Sequence, residues 1–144
     1  MGDYLGEFDT LFNRIRRAFF LELESRLAAA GYDDLPPAAA RALIPISHET
    51  TLPLSSLAAE LGFHKATITP LAKRLEKAGY VKREVDEEDG RVSYLGLTDR
   101  GRKAVLIVES VLADVSAEAF AGVTAEDRAA LRRILFQIIE NLGE

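Results

Sequence analysis

The chain has 144 residues, 48% of them hydrophobic and 28% charged, with a formal net charge of −5 at pH 7. These values suit one globular domain with a proper core. Because the chain has no cysteine, disulfides, thiolate metal sites and thiol redox chemistry are excluded. No apolar run approaches the roughly 18 residues that cross a bilayer. The first ten residues lack the basic flank and apolar run of a signal peptide, so we expect a cytoplasmic protein.

The N-terminal third predicts two helices. Apolar residues recur at three- and four-residue steps over residues 3–30, the spacing of a long amphipathic helix, and a glycine follows as its stop. The residues of this face are Phe8, Phe12, Ile15, Phe19, Leu23 and Leu27. Pro36 and Pro37 predict a second helix over 37–48, since proline fits the first turn of a helix. Pro45 is expected to kink or shorten that helix.

Two shorter helices separated by a glycine turn are predicted next. Ser55 is a suitable N-cap for a helix that ends near Leu61. The second helix is expected over residues 64–78 and is closed by another glycine. Pro70 lies inside it and leaves an alternative open, a later start near Ala66.

A hairpin follows these helices. Residues 80–85 and 92–97 alternate as strands do, and an acidic turn at 87–90 joins them. A helix, a turn, a second helix and a hairpin follow one another in a winged helix-turn-helix, which makes DNA the first partner to consider. The fold class expected is therefore mainly α (α+β), with long N- and C-terminal helices.

The two C-terminal helices are more apolar than a small domain requires. Thr98 caps the first, over 100–120, and a capping pattern at Thr124 opens the second, over 125–142. Their apolar residues are Val105, Ile107, Val108, Val111, Leu112 and Val115, then Leu131, Ile134, Leu135, Ile138, Ile139 and Leu142. A helix that is apolar on most sides is buried on most sides. The alternatives are an ordinary bundle core and a dimer interface built from the first and last helices, and excess apolar surface favours the dimer.

The candidate DNA-contacting residues cluster around the second short helix and the hairpin, despite the acidic total charge. Binding to nucleic acid depends on a local basic footprint, and cations crowd this segment. Lysine and threonine can donate to phosphates and base acceptors, while threonine methyls can touch thymine. The alternative is an ordinary solvated helix face. The full candidate set is Ser55, His64, Lys65, Thr67, Thr69, Lys73, Arg74, Arg83, Asp89 and Arg91.

Arg91 is the lone arginine at the hairpin tip. An arginine on a protruding β-ribbon fits the negative potential of a narrow minor groove. Asp89 beside it can fix the direction of the guanidinium, whereas Glu87 and Glu88 are interpreted as a solvated turn. The alternative for Arg91 is a surface ion pair worth about 0–1 kcal/mol.

Residues 54–101 resemble the DNA-binding core of the MarR family. The matching residues are Leu57, Ala58, Leu61, Gly62, Thr67, Thr69, Arg74, Leu75, Glu76, Gly79, Arg83, Asp86, Asp89, Arg91, Leu97, Thr98 and Gly101. The resemblance implies a single domain over 1–144, with a winged-helix lobe at 37–100 and helical dimerisation regions at 1–30 and 100–144. It implies a homodimeric transcriptional repressor, released by a small ligand, that binds a palindromic DNA site. Arg91 would enter the minor groove with Asp89 as its partner.

Two departures from the family pattern concern the wing and the sensing chemistry. Gly90 stands where the family often has a second arginine, so wing contacts are expected to be thinner. The run from Thr67 to Leu71 resembles the branch that senses organic hydroperoxides through an N-terminal cysteine, and this chain has none. The protein would have to respond to a ligand in place of that oxidation, or to nothing.

Family effectors usually sit between the dimer helices and the DNA-binding lobe. An arginine beside aromatic rings suits an aromatic carboxylate or a phenolic effector; the alternative is that these are core residues and a surface arginine. The candidate ligand-contacting residues are Phe12, Arg16, Phe19, Phe20, Tyr32 and His48. No cofactor, metal site, membrane contact or enzyme motif is expected. The competing function is a winged-helix module that binds protein partners and not DNA.

Overall fold

The computed structural model of the protein describes residues 6–49 and 51–143. Six helices and three short strands are observed within these ranges, and the predicted mainly α, winged-helix class is confirmed. The elements are α1 Glu7–Ala29, α2 Pro37–His48, β1 Leu52–Pro53, α3 Leu54–Leu61, α4 Lys65–Lys77, β2 Val81–Val85, β3 Ser93–Leu97, α5 Asp99–Ala119 and α6 Ala125–Asn141. The predicted start of the first helix at residue 3 lies outside the described residues.

The first two helices follow the predicted bounds closely. Gly31 (φ 91°) supplies the left-handed residue after α1, and the N–H of Tyr32 donates back to the Leu27 carbonyl at 2.8 Å. Pro45 lies inside α2 and is buried, yet the helix continues to His48. The expectation that Pro45 shortens the helix is therefore wrong. Its apolar ring packs in the core at a position where only one backbone bond is lost.

Ser55 is not the N-cap of α3, which corrects the prediction. The extended residue before the helix is Pro53, and Ser55 lies in the first turn without a capping bond. The reason is β1, a two-residue strand that leads directly into the helix. Leu52 pairs with Leu95, so β1 joins an antiparallel sheet of order β1-β3-β2. A strand of two residues is too short to give an alternating pattern in the sequence.

Helix α4 begins at Lys65, with His64 as its extended N-cap residue. It continues through Pro70, and its start at Lys65 lies one residue from both the predicted start at residue 64 and the alternative near Ala66. A difference of one residue does not separate the two. A proline in the second turn removes one N–H, but the helix is held against the protein by buried residues on the opposite face. Those residues are Ile68, Ala72 and Leu75.

The predicted caps of the two C-terminal helices are confirmed. Thr98 accepts a bond from the Gly101 N–H at 3.1 Å, and Thr124 accepts one from the Asp127 N–H at 3.0 Å. Both strands of the hairpin begin one residue later than predicted, and α5 begins one residue earlier. Differences of one residue at element ends carry no structural argument.

One core joins the winged-helix elements to α2, α5 and the C-terminal half of α1. Its largest fully buried side chains are Tyr80, Leu27, Leu43, Ile46, Leu57, Ile68, Leu75, Leu95 and Val108. In contrast, α6 contains no buried residue in the described chain, and large apolar side chains on it are exposed, such as Ile134 (47%) and Phe136 (52%). Within one chain, α6 therefore does not pack into a bundle core, so that interpretation is wrong for this helix.

Candidate nucleic-acid interface

The outward face of α4 carries the residues that the sequence singles out. Lys65, Thr67, Thr69, Lys73 and Arg74 are all exposed, while Ile68, Ala72 and Leu75 pack inward. The buried residues recur at four- and three-residue steps, so the exposed ones surround the opposite side of the helix. His64, at the N-cap position, is exposed at the start of the same helix.

The cations of α4 are unpaired. Within residues 6–49 and 51–143, none of Lys65, Lys73, Arg74 and Lys77 forms an ion pair within 4.0 Å. Elsewhere on the chain, exposed arginines such as Arg100 and Arg102 do contact carboxylates. The charge on α4 is thus available to an external anion.

A cleft of about 410 Å³ lies between α3, α4 and the hairpin. It brings together five of the predicted residues, because the hairpin folds back beside the two helices. These residues are Ser55, Lys65, Thr69, Arg83 and Arg91. Thr67 and Arg74 are not among its lining residues, so the predicted set lies on two sides of α4.

Arg83 forms part of the cleft wall from β2. One of its terminal nitrogens, Nη2, donates to the Ser93 hydroxyl at 3.2 Å across the hairpin. Its Nε atom is buried and has no hydrogen-bond partner in the described residues. A buried donor without a partner is costly, and this atom is out of reach of a ligand in the cleft.

The wing tip is organised around the Asp86 carboxylate, a role that the sequence interpretation missed. Oδ1 of Asp86 accepts the backbone N–H groups of Glu88 at 2.8 Å and Asp89 at 3.0 Å. Oδ2 accepts the hydroxyl of Tyr94 at 3.1 Å. The Asp89 N–H, then the Glu88 N–H, then Tyr94 hold the pKa of Asp86 below its usual value. A carboxylate that accepts the backbone N–H two residues ahead is the signal of an Asx turn.

Arg91 and Asp89 form the pair that the sequence predicts. Nε of Arg91 donates to Oδ1 of Asp89 at 3.0 Å, and Nη2 donates to Oδ2 at 3.3 Å. The Arg91 side chain is nevertheless 91% exposed. The Arg91 side chain, followed by the Arg91 backbone N–H, lowers the pKa of Asp89. The two-point contact fixes the plane of an arginine that projects into solvent.

The candidate ligand-contacting residues are spread over the chain. Phe12 and Arg16 are exposed on the N-terminal half of α1, where Arg16 donates to the Asn13 side chain at 3.1 Å. Phe19 is half-buried, and Tyr32 packs at the core edge with its ring 6.4 Å from that of Tyr80. Phe20 is exposed on α1, and His48 is exposed at the end of α2.

A second polar junction, also missed from the sequence, joins the α1–α2 loop to α5. The Tyr80 hydroxyl donates to Asp34 at 2.6 Å, and Arg100 contacts the same carboxylate at 2.8 Å. The Arg100 guanidinium also lies 4.3 Å from the centre of the Tyr80 ring. The Tyr80 hydroxyl has the largest effect and lowers the pKa of Asp34; burial opposes it, and the Arg100 guanidinium lowers the pKa further. Residues separated by tens of positions give no local signal for such a contact.

No group of three or more potential metal-ligating side chains occurs among the residues that the structure describes. Over the same residues, every helix is too short or too polar to span a bilayer.

Comparison with known proteins identifies the relatives of this arrangement. Residues 35–93 match the model of the MarR family. The transcriptional regulator SarZ of Staphylococcus epidermidis is 35% identical over 78 residues, which cover 54% of this chain and 50% of SarZ. The chain therefore aligns with about half the length of the curated relatives that it matches.

Solved structures extend the likeness to nearly the whole chain. A MarR family regulator from Silicibacter pomeroyi superposes with a TM-score of 0.75 at 28% identity, over 94% of this chain and 90% of that one. Sco3205 of Streptomyces coelicolor, a MarR family regulator solved in complex with DNA, has a TM-score of 0.85 at 20% identity, over 100% of this chain and 91% of that one. The second likeness concerns the fold alone. The matched segment therefore resembles the MarR family, and the fold of nearly the whole chain is similar to that of solved MarR family regulators.

Proposed function

We propose that the protein is a sequence-specific regulator of transcription that binds double-stranded DNA. Helix α4 would enter the major groove, and Arg91 would reach the adjacent minor groove. The observation that carries the proposal is the outward face of α4, whose cations form no ion pair in the described chain and whose Lys65 and Thr69 border the same cleft as Arg91. Phosphate contacts from this face would position the protein, and base-edge contacts would select the sequence.

We propose further that the active form is a homodimer. The unburied apolar face of α6 and the exposed apolar residues at the start of α1 support a partner of the same kind. The exposed large apolar side chains include Phe8, Leu11, Phe12 and Ile15 on α1, Leu131, Ile134, Phe136 and Ile139 on α6, and Leu142 directly after it. A two-fold dimer would read a palindromic site whose half-sites lie about 10 base pairs apart.

Release from DNA by a small aromatic or phenolic effector remains part of the proposal. The exposed rings on α1 and the cation of Arg16 would be covered when two chains associate, and Tyr32 lies at the adjoining core edge. A pocket completed by the partner would bring these groups together, with Phe19 and His48 as further candidates. Repression, and a cytoplasmic location beside the chromosome, follow from the same proposal.

The competing proposal, a module that binds protein partners, rests on the acidic total charge and on Gly90 in the wing. A protein-binding lobe has no need of four unpaired cations on one helix beside an oriented arginine. Lys65 and Arg91 line one cleft, and this arrangement therefore favours DNA over a protein partner. The relatives are named as regulators, and we propose no catalytic reaction for this chain.

Selection of bound duplexes from a random pool tests the proposed function. We expect an enriched palindromic sequence that binds more tightly than a scrambled duplex of the same length. Fluorescence anisotropy of both duplexes at low and moderate salt gives the specificity ratio. Failure to enrich any sequence, together with no binding at low salt, would overturn the proposal.

A further inference from the structure

The centre of the exposed face of α4 is apolar. Ala66 and Pro70 are both exposed, and they lie four residues apart on one stripe of the helix that continues to Lys73 and Lys77. The buried residues of the helix lie on the opposite side, so this stripe is the most outward part of α4. The candidate hydroxyls Thr67 and Thr69 therefore lie beside it.

Pro70 has no role in the core that would explain its place. A proline in the second turn cannot donate to the Ala66 carbonyl, and its ring crowds that carbonyl, so it weakens the helix. Its ring is exposed and contributes no burial in the described chain. A residue that breaks a local rule on the surface that faces a ligand points to a contact made by its own side chain.

The surroundings of this apolar stripe fit a polyanion with apolar groups on its edge. Lys73 and Lys77 continue the stripe beyond Pro70, and Lys65 and Arg74 are exposed on either side of it. Glu76 is the one carboxylate within the helix. In the major groove, the C5 methyl of thymine is the apolar group that base pairs display. Charge complementarity brings the phosphates to the lysines, and the stripe then meets the base edges.

We propose that Ala66 and Pro70 read thymine methyl groups by apolar contact, so that each half-site contains one or two thymines whose methyl carries affinity. This inference rests on the proposed entry of α4 into the major groove. It assigns specificity to two side chains that have no hydrogen-bonding group. The half-site core is accordingly rich in A·T pairs at the positions that face this stripe.

The test replaces single thymines by deoxyuridine in the duplex enriched by selection, which removes only the methyl group. For the unaltered protein we expect affinity to fall about 3- to 5-fold at one or two thymines in each half-site, the value of one buried methyl group. In Pro70→Ala, and in Pro70→Ala combined with Ala66→Gly, the ratio of the affinity for the thymine duplex to the affinity for the deoxyuridine duplex should fall towards one. Because the ratio compares two duplexes on the same protein, a general loss of affinity cancels.

Lys77→Ala is the matched control, since Lys77 lies on the same stripe and is exposed. It should weaken both duplexes equally and keep the thymine-to-deoxyuridine ratio. Circular dichroism of each variant checks that the fold is retained. If the protein binds its selected duplex but deoxyuridine is neutral everywhere, or if the ratio persists in the double variant, the inference is wrong and the proposed function stands. If no duplex binds at all, the proposed function fails, and the inference fails with it.

Discussion

The backbone of Gly101 in the first turn of α5 lies directly against the carbonyl oxygen of Tyr80. A β-carbon on Gly101 would collide with that oxygen and would also come within 3.2 Å of the Leu97 side chain. The same carbonyl accepts the N–H of Thr98 at 3.1 Å, and the Thr98 hydroxyl donates to the Gly79 carbonyl at 2.5 Å. The start of α5 is thereby fixed to the start of β2, which joins the winged-helix elements to the long helix.

Gly101→Ala should destabilise the protein by about 1–3 kcal/mol, the usual cost of forcing an extra group into a packed site. The collision is with backbone, which cannot rotate away as a side chain can. Urea unfolding followed by circular dichroism measures the effect. Gly90→Ala is the matched control, since no atom lies within 4 Å of a β-carbon there. Equal midpoints for the two variants would contradict the close approach.

Tyr80→Phe should lower the free energy of unfolding by about 1 kcal/mol at pH 7, because it removes a hydrogen bond to a carboxylate whose side chain is 42% exposed. The hydroxyl lowers the folded-state pKa of Asp34. A carboxyl group whose pKa is lowered by folding stabilises the protein at pH values above its unfolded-state pKa of about 3.9. That stabilisation is lost as the pH falls through the folded-state pKa.

The difference between Tyr80→Phe and the unaltered protein should therefore narrow below about pH 4. Urea unfolding at pH 7 and at pH 3 provides the comparison. Tyr32→Phe is the control, because Tyr32 packs beside Tyr80 without a hydrogen bond from its hydroxyl in the described chain. If the difference in free energy of unfolding between Tyr80→Phe and the unaltered protein stays constant with pH, the assigned hydrogen bond is contradicted.

Local patterns in the sequence predicted the helices and the hairpin because each has its own period and its own end signals. Thr98 and Thr124 were identifiable as caps since their partners lie three residues ahead. Ser55 was assigned wrongly because the two-residue strand before α3 pairs with a distant strand, and its register is set by Leu95. That information is not contained in neighbouring residues.

The candidate interface was predicted in part for the same reason. The Arg91–Asp89 pair spans two residues and could be inferred from composition and order. Asp86 is equally close in sequence to the Glu88 and Asp89 N–H groups that it accepts, so this turn had a local signal that the sequence interpretation missed. Its contact with Tyr94, eight residues ahead, had none. Pro70 bears on the predicted start of α4, but its helical spacing from the buried Ile68 and Ala72 also places it on the outward face. The roles of these residues in binding DNA remain predictions.

Ile134→Asp should convert the proposed dimer to a monomer at micromolar concentration. Ile134 is 47% exposed on α6, so a carboxylate there leaves the packing of one chain untouched but is buried without a partner in an apolar interface. Sedimentation equilibrium gives the mass. Gln137→Asp adds the same charge at an exposed polar position on the same helix and should remain dimeric unless Gln137 lies in the interface. A monomeric unaltered protein would refute the homodimer.

Arg91→Ala and Lys73→Ala should separate groove reading from phosphate contact. Loss of Arg91 should cost about 1–3 kcal/mol of affinity for the selected duplex and leave thermal stability unchanged, since its side chain is 91% exposed. Loss of Lys73, an unpaired cation on α4, should instead weaken selected and scrambled duplexes about equally and reduce the salt slope by about one. Anisotropy between 50 and 200 mM salt, about the range over which such slopes are resolved, measures both effects. Unchanged affinity in Arg91→Ala would make the wing a structural hairpin, and the proposed recognition of DNA would then depend on α4 alone.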